Sequence, residues 1–173
     1  EKGRPMVRIK LAATIDGRTA AADGSSQWIT SIEARQDVHH WRAASAAVVT
    51  GIGTVTSDDP KRNARLDSNL VQPIRVVLDG NARLGPGAAL FEVDGPVLVV
   101  TAGKHNGNRF AYDSRTDLID LPGKNGRVDL AALLRELGSR GCNDILVEAG
   151  SNVASSFVVE GLVDEYLLYL APD

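Results

Sequence analysis

Two stretches of this 173-residue chain place glycine directly after an apolar run: Val49-Thr50-Gly51-Ile52-Gly53-Thr54 and Val147-Glu148-Ala149-Gly150-Ser151-Asn152. Glycine lets a backbone approach a phosphate, and a helix beginning there offers unpaired N–H groups and a partial positive charge. Neither stretch has the dinucleotide fingerprint or the Walker A loop, and a glycine after a strand is often only a turn. Two such ends in one small sheet would nevertheless suit the two ends of a dinucleotide. Glu148 closes the second apolar run, where a carboxylate either faces a site or is spent on a local ion pair or cap. Asp58-Asp59-Pro60, followed by Arg62 and Arg65, sets acids and guanidinium forks on one loop; its readings are a solvated turn or a phosphate-recognising loop. Lys10 is an edge residue or a pocket cation. Trp28, after Ser26 and Gln27, is a core plug or a wall for a planar ring.

Other chemistries fit poorly. His39 and His40 are adjacent, so on a helix they point in different directions and cannot chelate one ion as an i, i+4 pair would. The single cysteine, Cys142, excludes an internal disulfide and a four-cysteine zinc site. No Gly-x-Ser-x-Gly elbow occurs, and no zinc-deaminase signature of histidine, glutamate and paired cysteines. A net charge of −3 and 5% aromatic residues argue against a general polyanion binder or a stacking platform for single strands. No nucleic acid, membrane or metal is expected as a partner, and the cytoplasm is the expected compartment.

The elements that must position these residues alternate. Residues 6–13 read as a strand with Val7, Ile9 and Leu11 opposed to Arg8 and Lys10. A capping box, Thr30 to Glu33, opens a helix to about Ala44 with Ala34, Val38 and Trp41 on its buried face. Strands follow at 46–50, 73–79, 96–101, 117–121, 144–148 and 164–170, with helices at 129–139 and 152–160. Pro60 stops a short helix after Gly53. Strands alternating with helices predict one α/β domain, a largely parallel sheet in three layers.

Taken together, Lys10-Leu-Ala-Ala-Thr-Ile-Asp-Gly-Arg18, Ser26-Gln-Trp-Ile-Thr30, Arg42, Thr54 with Asp58-Asp-Pro60 and Arg65, Val147-Glu-Ala-Gly150 and Gly161-Leu-Val-Asp-Glu165 resemble the reductase domain of the bacterial bifunctional riboflavin-biosynthesis deaminase–reductase. The resemblance implies a dihydrofolate-reductase-like fold with a mostly parallel mixed sheet flanked by helices. It also implies NADPH as cofactor, and reduction of 5-amino-6-(5-phosphoribosylamino)uracil to its ribityl counterpart. By similarity, Ala12, Trp28, Thr54, Asp58, Gly80, Gly150, Ser151 and Asn152 would contact the cofactor. Ser26, Arg42, Arg65 and Glu148 would contact the phosphorylated pyrimidine, with Lys10 and Glu148 as the catalytic pair. A homodimer is expected on the same ground. The family usually has leucine where this chain has Arg62, near the substrate. Residues 1–173 would be a single reductase domain without the deaminase and without the family's closing strands. The alternatives are a same-fold reductase of another pterin or pyrimidine, and a non-catalytic nucleotide-binding domain.

Overall fold

The computed structural model describes residues 3–17, 31–66, 70–103 and 114–171. Seven strands are described: β1 (Met6–Thr14), β2 (Ala47–Gly51), β3 (Ile74–Leu78), β4 (Val97–Thr101), β5 (Thr116–Asp120), β6 (Asp144–Val147) and β7 (Glu165–Ala171). They form one sheet in the order β5-β4-β3-β2-β6-β1-β7. Every pairing between these strands is parallel, the antiparallel Pro122–Val128 bridge lying outside the sheet, so the antiparallel strand expected of a mixed sheet is not among the described residues. β1 lies between β6 and β7, which corrects the edge reading of Lys10.

The burial pattern follows from that order. β2 and β4 are buried at every position, because helices cover both faces of a central parallel strand and select continuous Val and Ala runs. β7, at the rim of the sheet, alternates half-buried and exposed residues. It leaves Tyr166, Leu168 and Leu170 at 49%, 60% and 63% exposure.

Among the described residues four α-helices flank the sheet: α1 (Ile32–Ala44), α2 (Ile52–Asp58), α3 (Leu130–Ser139) and α4 (Ser151–Val159). In α3, Asp129 caps the start by accepting from the Ala132 N–H at 2.8 Å, and Leu130, Leu133, Leu134 and Leu137 are all buried. Truncating one of these leucines to alanine costs about 2–5 kcal/mol by the usual cavity cost. With Phe157 of α4 they pack on Val7, Ile9, Val49, Val76 and Val147. A second cluster, Ile52, Val55, Val77, Leu84, Leu90, Val97 and Val99, fills the opposite face. Wholly buried Arg75 there donates to the carbonyls of Leu90, Val93, Asp94 and Gly95, holding a turn that the strand-like sequence around it does not announce.

The opening of α1 departs from the expected capping box. Ser31 is the N-cap, its Oγ accepting from the Ala34 N–H at 3.2 Å; Thr30 lies outside the described residues. Of the expected buried face, Val38 is buried while Ala34 and Trp41 are half-buried. The Trp41 ring lies under the Arg8 guanidinium, 4.7 Å from its centroid. A polar residue from the sheet thus takes the place of an apolar contact.

Candidate functional site

All the described strands run the same way, so their carboxyl ends share one rim, where open α/β sheets bind ligands. Glu148 emerges there, immediately after β6. Ile9 pairs with Val147, so Lys10 and Glu148 follow side by side on adjacent strands, on the face that α1 covers.

Glu148 is 5% exposed and is gripped by two arginines. Arg42, in the last turn of α1, donates from Nε to Oε1 at 2.5 Å and from Nη2 to Oε2 at 2.8 Å. This bidentate geometry is the strong, orienting form of the pair. Arg62 donates from Nη1 to Oε2 at 2.9 Å. Its side chain is 14% exposed, and its backbone φ of +49° is uncommon for a residue with a side chain. The loop turns there and brings the guanidinium inward. Arg42 also reaches the Asn63 carbonyl at 3.4 Å, so the end of α1 and the loop after Pro60 are fastened around one carboxylate.

The charges decide protonation. Burial pushes the Glu148 carboxyl up, but the Arg42 hydrogen bond and the charges of Arg62, Arg42 and Lys10 outweigh it and hold the group at about 2. Glu148 is therefore an anion at neutral pH, an acceptor for N–H and O–H donors and not a proton source. Burial, followed by Arg62 and Arg42, pulls the Lys10 ammonium below its ordinary value against the opposing pull of Glu148. A lysine lowered toward neutrality gives up a proton more readily. Three cations around one carboxylate leave surplus positive charge, which favours an anionic ligand group.

The other predicted residues have these positions. Ala12 lies two residues beyond Lys10 on the same face of β1. Exposed Arg65 docks on His39, its backbone N–H 3.2 Å from Nδ1 and its Nε 3.2 Å from Nε2. Burial and the Arg42 and Arg65 charges lower the His39 pKa. Asp58 ends α2, exposed, and accepts from Ser57 Oγ at 3.0 Å. Ser26 and Trp28 lie outside the described residues.

The two glycine ends play different roles. A Cβ on Gly51 would stand 2.8 Å from Val153 Cγ2, so this glycine lets α4 pack on the end of β2. Gly150, the N-cap of α4, provides no side-chain cap. Its own N–H donates to Thr54 Oγ1 at 3.1 Å, stitching the second glycine end to the helix that follows the first. Ser151 is the first residue of α4. Gly80 and Asn152 line a groove of about 800 Å³ along the rim, together with the loop from Pro122 to Asp129. A Cβ on Gly80 would meet the Gly126 carbonyl at 3.1 Å.

Three contributors escape a reading of the sequence. His39 sits three residues before Arg42, a helical spacing that shares a face; its lack of a metal partner hides its contact with Arg65. Tyr169 of β7 reaches the site beside Lys10, its ring centroid 5.4 Å from Nζ. Asp37 of α1 accepts from the Tyr169 hydroxyl at 2.5 Å and from Trp41 Nε1 at 3.1 Å. Among the described residues no group of three or more His, Cys, Asp and Glu gathers as a metal site, and no helix is long and apolar enough to cross a membrane. Cys142 is buried, and burial raises its thiol pKa, the condition of an unreactive cysteine.

Comparison with known proteins identifies the family. The chain is similar to the riboflavin biosynthesis protein RibD of Escherichia coli K12, 40% identical over 98% of this chain and 49% of the relative. It is 39% identical to RibD of Haemophilus influenzae, over 99% of this chain and 48% of the relative. Acinetobacter baumannii RibD superposes with a TM-score of 0.82 at 39% identity, covering 99% of this chain and 47% of that one. The Saccharomyces riboflavin biosynthesis reductase Rib7 superposes at 0.79 with 19% identity, over 99% of this chain and 75% of that one, a likeness of fold alone. The chain spans about half the length of the curated relatives it matches. The family model for the RibD C-terminal domain matches residues 5–173, and with the relatives it shows that this chain belongs to the RibD C-terminal domain family.

Proposed function

We propose that this chain is an NADPH-dependent reductase in riboflavin biosynthesis that converts 5-amino-6-(5-phosphoribosylamino)uracil to 5-amino-6-(5-phosphoribitylamino)uracil. The observation that carries the reading is the buried, ionised Glu148 held among Arg42, Arg62 and Lys10 at the carboxyl rim of the sheet. A phosphorylated pyrimidine has both features this cluster recognises: an anionic end for the surplus positive charge, and ring or sugar N–H and O–H groups for the carboxylate.

Opening of the ribosylamine gives a C1′=N imine and a free 4′-hydroxyl with no net gain of atoms. NADPH, when bound, supplies hydride to C1′. The remaining proton goes to nitrogen, and Lys10 is its source because Glu148 is already ionised. Arg42 and Arg65 hold the phosphate, and Glu148 orients the donors of the substrate. A dinucleotide cofactor fits the residues present. The first turn of α4 has no side-chain cap; its Val153 N–H donates to the Gly150 carbonyl, and the Ser151 and Asn152 N–H groups are the ones a pyrophosphate would meet, while Gly80 and Asn152 line a groove of suitable size. Gly150, Ser151, Asn152, Thr54, Asp58, Ala12 and Gly80 are the residues that would hold the cofactor, with Trp28 added to them and Ser26 to the substrate contacts from sequence. We read the protein as a cytoplasmic homodimer, on the ground of the family resemblance.

The test is to mix the folded protein with the phosphoribosylamino intermediate and NADPH. Loss of nicotinamide absorbance and a product heavier by two hydrogens support the proposal. Cofactor binding without substrate-dependent oxidation supports a non-catalytic nucleotide-binding domain instead, and faster turnover of dihydrofolate supports a different substrate. Light scattering reads the dimer.

A further inference from the structure

Lys10 has to keep an ammonium in an unfavourable place. Burial, Arg62 and Arg42 all disfavour its charge, and Glu148, the carboxylate that favours it, is shared with both guanidiniums. Lysine is also a flexible four-carbon stem with a point charge at its end. Something on the remaining side must hold it, and β7 supplies an aromatic ring. Ala12 pairs with Tyr169, which puts the ring on the same face of the sheet as Lys10 and two residues along the strand direction. The Nζ lies 5.4 Å from the ring centroid, within the range where the negative ring face attracts a cation.

The ring itself is anchored. Its hydroxyl donates to Asp37 Oδ2 at 2.5 Å, and the same oxygen accepts from Trp41 Nε1 at 3.1 Å. Trp41 is in turn stacked by Arg8, which pairs with Asp144 of β6 and Glu165 of β7. The chain from α1 to β7 therefore fixes the plane against which the Lys10 ammonium rests. We infer that Tyr169, anchored by Asp37, is a positioning residue for Lys10 that both aims its ammonium at the rim and stabilises its protonated form.

The inference rests on the reading of Lys10 as proton donor. The charged groups facing Lys10 are Glu148 after β6, Arg42 of α1 and Arg62 of the loop, with the Tyr169 ring from β7. Removing the ring takes away support for the cation and leaves the others. The fall in kcat with rising pH, as Lys10 loses its proton, should then move in Tyr169→Leu to lower pH by about half a unit or more, the size of an ordinary cation–π contribution. A several-fold loss in kcat and a nearly unchanged KM should accompany it. Tyr169→Phe keeps the ring face but gives up the hydroxyl anchor on Asp37, so its alkaline limb should move far less than that of Tyr169→Leu and about as far as that of Asp37→Asn. Asp37→Asn, which weakens the anchor, should move the limb the same way as Tyr169→Leu but less. A limb in Tyr169→Leu that coincides with wild type overturns the proposal, and so does a Phe variant that shifts as far as Leu.

Titration of the Lys10 side chain by NMR, with isotope-labelled lysine in the full chain, separates this claim from the proposed reaction. If the wild-type protein does not reduce the intermediate, the reading of Lys10 as proton donor fails. A lowered Lys10 titration in Tyr169→Leu then still upholds the contact, and an unchanged one overturns it. If the Leu variant does not fold, the same titration on Asp37→Asn and Tyr169→Phe decides, with a small downward shift expected in both, and an unmoved Lys10 titration in both overturning it.

Discussion

Replacing Glu148 by glutamine tests the electrostatic core of the site. The carboxyl is held at about 2 against an ordinary 4.5, a difference worth roughly 3 kcal/mol in favour of the charged, folded form. The sign follows from the direction of the shift. A carboxyl whose folded value is depressed contributes stability that is fully present above its unfolded value and is lost as pH falls toward its folded value. In the wild-type protein, stability should therefore fall between about pH 5 and pH 2, with roughly 2 of those 3 kcal/mol gone by about pH 3. Glu148→Gln has no proton to bind there, so its stability curve should be flatter over that interval by the same amount. At neutral pH the variant should be less stable by about 3–5 kcal/mol, because Arg42 and Arg62 then sit buried without a counter-charge. Urea unfolding at a series of pH values, followed by circular dichroism, measures both quantities. A variant whose loss of stability with acid parallels the wild type, from a folded starting state, refutes the assignment of an ionised Glu148 as the centre of the cluster.

Three further outcomes are expected. Arg42→Ala removes the bidentate partner of Glu148 and should weaken the phosphorylated pyrimidine by about tenfold or more while changing NADPH affinity little; calorimetry with each ligand reads both, and equal losses contradict the role of Arg42. His39→Phe removes the imidazole on which Arg65 docks and should raise KM more than it lowers kcat, with His39→Gln recovering part of the loss in steady-state assays; a Phe variant with wild-type KM denies that His39 orients Arg65. Gly51→Ala drives a methyl group into Val153, 2.8 Å from its Cγ2, and should cost about 1–3 kcal/mol of stability by overpacking, measurable as a lower urea midpoint; an unchanged midpoint shows that α4 can yield there.

The alternation of apolar runs with helical leucines, and the lack of a disulfide, a metal set or a membrane-length run, already fix a parallel three-layer domain. The strand at 144–147 and the helix at 130–139 are legible because continuous burial selects Val, Ile and Leu on a two-sided strand, and 3.6-residue spacing selects them on a helix face. Glu148 and Lys10 were likewise legible as chemistry-bearing residues, since a charge beside an apolar run or a glycine turn has few cheap places to go, whereas Arg42 entered only through the family resemblance. Their mutual contact was not. Arg42 and Glu148 are 106 residues apart in the chain, and only the order β2-β6-β1 brings α1 over the end of β6. The two glycine ends looked equivalent in sequence, yet packing made Gly51 a close approach for α4 and left Gly150 as an uncapped helix start. Tyr169 and Asp37 carry no local signal at all, because a tyrosine on an alternating edge strand and an aspartate on a helix are ordinary. The sequence by itself thus determined the elements and the stock of ionisable groups, since these follow from local periodicity and composition. Only the tertiary structure decided which charges face one another and in what protonation state, because burial and distance across non-adjacent strands set those energies.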